Sequence, residues 1–273
     1  MNEIKLVAFD LDGTLLDDLK NIPDENLEAL NLAKEKGIHL VPATGRLYKA
    51  VPEIFKKMCR YFMLINGGKV YDSLEDKVIY ESSLPWDLAV RVYEEGDTQP
   101  CIYDAYIADS GYMTRSMWDV FEDYVFDKNY VKSMKPLREP VPDLKEKIRT
   151  EHCPVQKAQF FYKDLELRDR EIAKLEKMFP ELQPTVSLGS NIEINTAEAN
   201  KGAGLRALCG YLGFDSANAV AFGDGTNDYA MLVEAGTGVC MANGADKCKA
   251  AADIITEFDN NNAGLGKLLK KLI

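Results

Sequence analysis

The feature that most constrains the fold is an alternation of short apolar runs with polar turns and amphipathic stretches. The first run ends at Asp10, and Gly37 supplies a helix stop before the second run. Strands that alternate with helices favour right-handed crossovers and a parallel sheet. The pattern predicts an α/β fold on a doubly wound, Rossmann-like parallel sheet, with strands at residues 4–9, 38–41, 61–65, 219–222, 238–241 and 254–255.

The middle of the chain has a different pattern of residues. Aromatic, alternating segments such as residues 101–107 and 159–162 are typical of antiparallel strands, and helical stretches lie between them. A chain of 273 residues exceeds the usual size of a single core. We therefore predict a discontinuous core of residues 1–82 and 188–273, with an α+β cap inserted at residues 83–187. Helices are predicted at residues 23–36, 47–58, 87–95, 117–124, 170–178, 203–212, 228–235 and 245–252.

Charge and hydropathy exclude several classes of partner. The net charge of −11 and the pI near 4.9 disfavour nucleic acid and anionic lipid. An acidic protein that handles an anionic substrate needs local positive charge from a metal, a lysine or helix N-termini. Because no run approaches the roughly 18 apolar residues that span a bilayer, we expect a soluble, cytoplasmic protein.

Cysteine and histidine usage narrows the chemistry further. The six cysteines are scattered without a C-x-x-C pair, so neither a zinc site nor a disulfide framework is indicated. His39 lies in an apolar run and His152 in a polar stretch, and neither neighbours a candidate nucleophile. A histidine-dependent triad is therefore disfavoured, and both histidines are expected to be structural or surface residues.

Two carboxylates follow the first strand. Asp10 and Asp12 lie two residues apart in the run D-L-D-G, at the edge where open α/β sheets bind their ligands. One such acid can serve as metal ligand and nucleophile while the other transfers protons. A plain acidic loop is an alternative. A calcium loop is disfavoured because the further oxygen ligands and the distal glutamate are missing.

Two further segments could receive a phosphate. Thr44, Gly45 and Arg46 lie between the second strand and a predicted helix, where a hydroxyl and backbone amides suit an anion, although an ordinary helix cap explains them equally well. Lys201 precedes another predicted helix and could place a point charge on a phosphoryl group. A solvated lysine is the alternative for that position.

A fourth segment repeats the acidic pattern at another strand end. Asp224, Asn227 and Asp228 follow the run of residues 219–222 within G-D-G-T-N-D. Magnesium binds a few carboxylate oxygens and keeps several waters. One acid from each of two strand ends would therefore be enough protein ligands for a magnesium site. A glycine-rich turn without a metal is the alternative.

Taken in this order, the four segments resemble the haloacid dehalogenase-like superfamily, whose members are mostly phosphatases. The resemblance covers the whole predicted core. The position of the insert, residues 192–194 before Lys201, and the run M-A-N-G-A at residues 241–245 resemble the Cof-type subfamily of sugar-phosphate phosphatases more narrowly. Such a cap would shield the intermediate from water and contribute specificity.

The resemblance implies a role for each motif residue. Asp10 would become an aspartyl phosphate, and Asp12 would protonate the leaving alcohol and later activate water. Mg²⁺ would be held by Asp10, the Asp12 backbone carbonyl and Asp224, with Asp228 close by. The phosphoryl oxygens would be bound by Thr44, Gly45, Arg46, Lys201 and Asn227.

Two positions depart from the family pattern. Ala263 stands where relatives usually carry an aspartate, and Gly244 interrupts a common asparagine-alanine pair. The resemblance implies a small phosphorylated metabolite, such as a sugar phosphate, as partner of a monomer or small homo-oligomer. A sugar phosphomutase or a non-catalytic protein that binds a phosphorylated metabolite remains an alternative.

Overall fold

The computed structural model describes residues 3–186 and 188–273, and the chain divides into two compact units. One unit comprises the described residues up to Glu81 together with Ala199–Ile273, and the other is Ser82–Glu198. The first junction lies close to its predicted place. The second lies about ten residues beyond it, because residues 191–196 pair into the sheet of the second unit. The predicted cap ended at residue 187, which lies outside the described residues.

The described residues form the following strands: β1 (Leu6–Phe9), β2 (His39–Pro42), β3 (Tyr61–Leu64), β4 (Lys69–Asp72), β5 (Lys77–Glu81), β6 (Cys101–Ile107), β7 (Ser110–Thr114), β8 (Arg138–Val141), β9 (Lys157–Tyr162), β10 (Leu182–Thr185), β11 (Asn191–Thr196), β12 (Ala219–Gly223), β13 (Thr237–Cys240) and β14 (Ile254–Ile255).

The helices of the described residues are α1 (Asp24–Glu35), α2 (Glu53–Met58), α3 (Trp86–Gly96), α4 (Arg115–Asp119), α5 (Lys128–Met134), α6 (Leu144–Glu151), α7 (Leu165–Met178), α8 (Lys201–Leu212), α9 (Tyr229–Glu234), α10 (Asp246–Ala251) and α11 (Gly264–Leu272). None of them is long and apolar enough to cross a membrane.

A five-stranded parallel sheet organises the first unit. Its order is β14-β13-β12-β1-β2, with β1 paired to β12 on one side and to β2 on the other. Phe9 lies opposite Phe222 in this register, so the residues that follow β1 and β12 emerge side by side. The predicted α/β fold class is confirmed. The order of successive strands changes direction at β1, so the switch point of the sheet lies beside Asp10.

The third predicted strand does not continue this sheet. β3 forms a separate antiparallel sheet of order β3-β4-β5 and meets β2 through a bridge between Ala43 and Met63. The chain reverses directly after β3, where Asn66 and Gly67 adopt positive φ angles of 57° and 87°. Glycine accepts this backbone conformation without a Cβ penalty, which allows the tight return into β4.

The observed helices differ from the prediction at several places. Helices α5 and α6 were not predicted, and the stretch predicted at residues 117–124 is divided between α4 and a 3₁₀ turn at Phe121–Asp123. The helix predicted at residues 47–58 is split into a short 3₁₀ turn and α2, because Val51 precedes Pro52 and is extended, with ψ of 133°. Helix α11 was not predicted. It packs on α1, where the backbone amide of Gly266 donates to Asn26 Oδ1 at 2.7 Å.

Both histidines have structural positions, in agreement with the sequence analysis. His39 stacks on Phe214 and meets the ring edge of Tyr61 in the first unit. His152 ends α6 in the left-handed conformation and packs against Trp86. The six cysteines are all free thiols.

The second unit is built on a six-stranded sheet of order β10-β11-β9-β6-β7-β8. The strands pair antiparallel, as predicted, except that β7 and β8 are parallel. Tyr103 and Phe160 belong to a core formed with α3, α6 and α7, whereas Ile102 and Phe161 belong to a second cluster beside α4 and α5. The alternation of side chains along β6 and β9 thus supplies two separate apolar clusters.

Charged groups are buried within the second unit. Arg138 pairs with Asp104, which also accepts from Gln159, and both charged side chains are about 1% exposed or less. A Cβ at Gly111 would lie 3.2 Å from Arg138 Cγ, so the glycine leaves room for the arginine stem across β7. Burial raises the pKa of Asp104, although Arg138 opposes the shift.

We predict that Arg138→Met lowers the free energy of unfolding of the second unit by about 3–5 kcal/mol, because it leaves the Asp104 carboxylate buried without its cation. Both tryptophans of the chain, Trp86 and Trp118, lie in this unit. Their fluorescence, monitored during urea unfolding, therefore measures the free energy of unfolding of the second unit. The double variant Asp104→Leu/Arg138→Met is the control and should recover most of the loss. Equal destabilisation of the single and double variants would contradict the prediction.

Candidate active site

The candidate active site lies at the carboxyl edge of the parallel sheet. Asp10 follows β1 directly, and its backbone amide donates to Phe222 O at 3.0 Å, which ties it to β12. Gly13 has a φ of 85°, and a Cβ there would lie 2.5 Å from Asp224 Oδ2. Thr14 Oγ1 donates to Asp224 Oδ1 at 2.7 Å. These contacts join the first and fourth motifs.

Lys201 lies at the centre of the acidic residues. It begins α8 after the N-cap Asn200, and its side chain is fully buried. Its Nζ donates to Asp10 Oδ1 at 2.6 Å and to Asp228 Oδ1 at 2.5 Å. Burial lowers the pKa of Lys201, but the two carboxylates outweigh that effect and hold it above its ordinary value. The two carboxylates therefore favour the charged ammonium form of Lys201.

Asp228 shapes the loop that carries Asp224. Its Oδ2 accepts from the backbone amides of Asp224 and Gly225, each at 2.9 Å. A Cβ at Gly223 would lie 2.4 Å from Asp228 Cβ, so glycine is required for this close approach. Both oxygens of Asp228 are thus engaged, one with Lys201 and one with the loop amides.

Three carboxylates form a group that suits a cation. Ligand atoms of Asp10, Asp224 and Asp228 lie within 4.8 Å of one another. Burial raises the pKa of Asp10 well above its ordinary value, and burial together with Asp228 raises the pKa of Asp224 to about 6. One ammonium does not balance three carboxylates, so a hard divalent cation such as Mg²⁺ fits this oxygen donor set.

Asp12 is held by a different set of partners. Its side chain pairs with Arg46 and Lys20, in each case at 2.8 Å. Burial raises the pKa of Asp12, but Arg46 and Lys20 outweigh this effect and leave it below the ordinary value. The two acids of the first motif therefore lie in contrasting environments, one raised in pKa and one lowered.

The second motif is linked to the fourth through Asn66. The backbone amide of Asn66 donates to Thr44 O at 3.0 Å, and Asn227 Nδ2 donates to Asn66 Oδ1 at 3.2 Å. A Cβ at Gly45 would lie 2.8 Å from that same oxygen. Thr44 is buried, and its Oγ1 accepts from the backbone amide of Arg46 at 3.2 Å.

The structure brings the predicted site residues into three groups, and it adds residues that the sequence analysis missed. Asp10, Asp224, Asp228 and Lys201 form the first group, Thr44, Gly45 and Asn227 meet around Asn66, and Asp12 pairs with Arg46. Lys20, Asn66 and Thr14 had no predicted role. The only sequence signal for Asn66 was an asparagine before two glycines at a strand end.

The structure explains one of the two departures in sequence, Gly244, but offers no explanation for Ala263. A Cβ at Gly244 would lie 2.5 Å from Cys240 Sγ and 2.9 Å from Met241 O, so alanine does not fit. Ala263 has a φ of 54° and precedes α11. Its side chain carries no polar group, whereas the neighbouring Asn260 donates to Leu16 O at 3.0 Å and ties this segment to the first motif.

Comparison with known proteins identifies the family. A family model described as haloacid dehalogenase-like hydrolase matches residues 7–269. The chain belongs to the haloacid dehalogenase-like hydrolase family. The predicted superfamily and its Cof-type subfamily are confirmed, as is the predicted enzyme class, a phosphatase.

Relatives cover nearly the whole chain. The 5-amino-6-(5-phospho-D-ribitylamino)uracil phosphatase of Bacillus subtilis is 32% identical, over 98% of this chain and 95% of its own. The pyridoxal phosphate phosphatase of Escherichia coli is 28% identical, over 92% of each. A haloacid dehalogenase-like hydrolase from Bacteroides thetaiotaomicron is similar in structure, with a TM-score of 0.83, 25% identity, and coverage of 99% of this chain and 100% of that one.

The raised pKa of Asp224 predicts a pH-dependent stability of the metal-free protein. Its folded pKa of about 6 exceeds the ordinary value of 3.8, so the folded state binds this proton more tightly than the unfolded state. Stability is therefore lost as the pH rises from about 4 to about 6. The Asp224→Asn variant has no carboxyl to titrate and so does not lose this stability. Its free energy of unfolding, relative to that of the unmodified protein, should therefore be higher near pH 7 than near pH 4 by on the order of 1 kcal/mol.

Urea unfolding of both metal-free proteins at the two pH values measures this difference. The asparagine can still accept from Thr14, which makes the substitution conservative. A stability difference that does not change with pH would contradict the expected titration of Asp224.

Proposed function

We propose that this phosphatase hydrolyses a small phosphorylated metabolite, such as a sugar phosphate, with Mg²⁺ and through an aspartyl phosphate on Asp10. The observation that carries the proposal is the contact of Asp10 with the buried ammonium of Lys201, beside two further carboxylates. In this arrangement a carboxylate oxygen of Asp10 can attack phosphorus, while the nearby ammonium of Lys201 stabilises the negative charge on the phosphoryl oxygens.

Two steps follow from the positions of the acids. In the first, an Asp10 oxygen forms a bond to phosphorus, the bond from phosphorus to the ester oxygen breaks, and Asp12 gives its proton to that oxygen. In the second, Asp12 accepts a proton from water, which attacks the phosphorus and releases inorganic phosphate and the Asp10 carboxylate. Asp10 contacts Lys201, whereas Asp12 contacts Arg46 and Lys20, so the two acids have different partners.

Positive charge and donors would hold the phosphoryl oxygens. Asp10 and Asp224, with the backbone carbonyl of Asp12, would hold Mg²⁺, which when bound neutralises phosphoryl charge, and Asp228 lies close by. Lys201 supplies a fixed positive charge. Thr44, Gly45 and Asn227, which lie close to Asn66, would supply a hydroxyl, a backbone amide and a side-chain amide as hydrogen-bond donors. Arg46 was predicted as a further phosphate contact. Its guanidinium instead pairs with the Asp12 carboxylate.

The substrate class is supported by the relatives. Two of them are named as phosphatases of a phosphoribitylamino uracil and of pyridoxal phosphate, both small phosphorylated molecules. We propose that the second unit, Ser82–Glu198, contributes the discrimination among such esters. A cytoplasmic location stays a prediction from the sequence.

Two alternatives make different predictions for the products. A sugar phosphomutase would return the phosphoryl group to a sugar, and a non-catalytic binding protein would leave the ester intact. Release of inorganic phosphate in amounts equal to the alcohol formed distinguishes hydrolysis from both. The buried ammonium between two acids argues against a purely binding role, because a sensor needs no nucleophilic carboxylate.

We predict that removal of divalent cations abolishes the phosphatase activity and that added Mg²⁺ restores it. Without a cation, the carboxylates of Asp10, Asp224 and Asp228 would repel an anionic ester. Asp224→Asn should raise the Mg²⁺ concentration needed for half-maximal activity, whereas Asp246→Asn, at an exposed acid of α10, should not. Full activity in chelator would refute the metal dependence.

We also predict that Asp10→Asn prevents phosphorylation of the enzyme, whereas Asp12→Asn slows turnover by about 100- to 10,000-fold. The reason is that Asp10 forms the covalent bond and Asp12 transfers protons. Rapid quenching with a labelled aryl phosphate, followed by peptide mapping, measures the phosphoenzyme. With this activated ester, Asp12→Asn should accumulate label on Asp10, and label on any other residue would refute the assignment.

A further inference from the structure

The carboxylate of Asp12 is gripped on both oxygens. Arg46 Nη2 donates to Oδ1 and Oδ2 at 2.8 Å each, and Arg46 Nε donates to Oδ2 at 3.1 Å. Lys20 Nζ lies 2.8 Å from Oδ1. A planar guanidinium that contacts both oxygens fixes the orientation of a carboxylate as well as its charge.

Arg46 is itself fixed by the second motif. Its backbone amide donates to Thr44 Oγ1 at 3.2 Å, and its carbonyl oxygen accepts from the amide of Ile65 at 3.2 Å. Its Nη1 donates to Ala50 O at 3.3 Å. The guanidinium is thus held from several sides, and 26% of the side chain is exposed. Arg46 therefore connects the orientation of Asp12 to the segment that carries Thr44.

Lys20 reaches Asp12 from a strained backbone. Its φ is 68°, a conformation that non-glycine residues rarely adopt and that is enriched at functional positions. A turn imposes it, because the amide of Lys20 donates to Asp17 O and the amide of Asp17 donates to Asn21 O, both at 2.9 Å. Glycine would accept this backbone more readily than lysine.

We propose that Arg46, assisted by Lys20, is a positioning residue that holds the Asp12 carboxyl in the orientation needed for proton transfer to the leaving oxygen. The inference builds on the proposed function. It assigns Arg46 to Asp12 and not to the phosphoryl group, which was its expected partner in the sequence analysis. In the step concerned, the bond from phosphorus to the ester oxygen breaks, that oxygen takes the proton of Asp12, and the resulting carboxylate remains paired with the guanidinium.

The test uses two esters with the same phosphoryl group and similar shape, phenyl phosphate and p-nitrophenyl phosphate. The p-nitrophenolate leaving group is weakly basic and departs with little protonation, whereas phenolate needs the proton of Asp12. Because kcat/KM reports only the steps up to departure of the leaving group, it isolates this proton transfer. Arg46→Ala should lower kcat/KM for phenyl phosphate by about 100-fold and that for p-nitrophenyl phosphate much less.

A double-variant cycle asks whether Arg46 acts through Asp12. In an Asp12→Asn background there is no carboxyl to position, so Arg46→Ala should change kcat/KM for phenyl phosphate little further. The KM for p-nitrophenyl phosphate should stay close to that of the unmodified protein. Equal losses on both esters, a large rise in KM on both, or additive losses in the cycle would show a phosphoryl contact and overturn the proposal.

Lys20→Gly and Arg60→Ala complete the comparison. Lys20→Gly removes the ammonium and relieves the backbone, so it should lower kcat/KM for phenyl phosphate selectively without lowering the free energy of unfolding. Arg60 grips Asp72 in the same bidentate way, at 2.9 and 2.6 Å, outside the three groups of site residues. Arg60→Ala should affect both esters equally, and a selective effect there would overturn the assignment to Asp12.

The failure of this inference can be told apart from the failure of the proposed function. An unmodified protein that in Mg²⁺ releases phosphate from neither aryl ester and from no sugar phosphate would refute hydrolysis itself. An active unmodified protein whose Arg46→Ala variant treats the two esters alike would refute only the positioning role.

Discussion

The ammonium of Lys201, fully buried between Asp10 and Asp228, is the interaction on which the rest of the site depends. Burying any one of these charges alone would be costly, and removal of one partner leaves the others uncompensated. The lysine begins α8, whereas the two acids follow β1 and β12. One ion-pair group thus ties two neighbouring strand ends to a helix, and the positions of Asp224 and of the loop amides follow from it.

Asp10 and Asp12 lie only two residues apart, but their side chains have different charged neighbours. Asp10 is surrounded by carboxylates and buried surface, which favour its protonated form or a bound cation. Asp12 is turned toward Arg46 and Lys20, which favour its ionised form. A short glycine turn therefore places one acid among negative charges and the other among positive charges.

Sequence patterns predicted the parallel sheet and most candidate residues, because a strand followed by a polar glycine turn is a local signal. They did not predict the contacts between distant segments. Arg46 carries no local sign that it faces Asp12, and Lys20 appears as an ordinary surface lysine. The antiparallel return after β3 and the placement of β11 in the second unit depend on pairing partners that periodicity does not reveal.

The discontinuity of the first unit has a consequence for synthesis. A ribosome completes Ser82–Glu198 while the strands and helices of Ala199–Ile273 are still unmade. Strand β1 obtains one of its two neighbours, β12, only from that later segment, and helix α1 obtains its partner α11 from the same segment. The apolar run that precedes Asp10 therefore lacks one of its two strand partners until residues 219–223 have emerged, and during that time its unpaired edge is exposed to association with other chains.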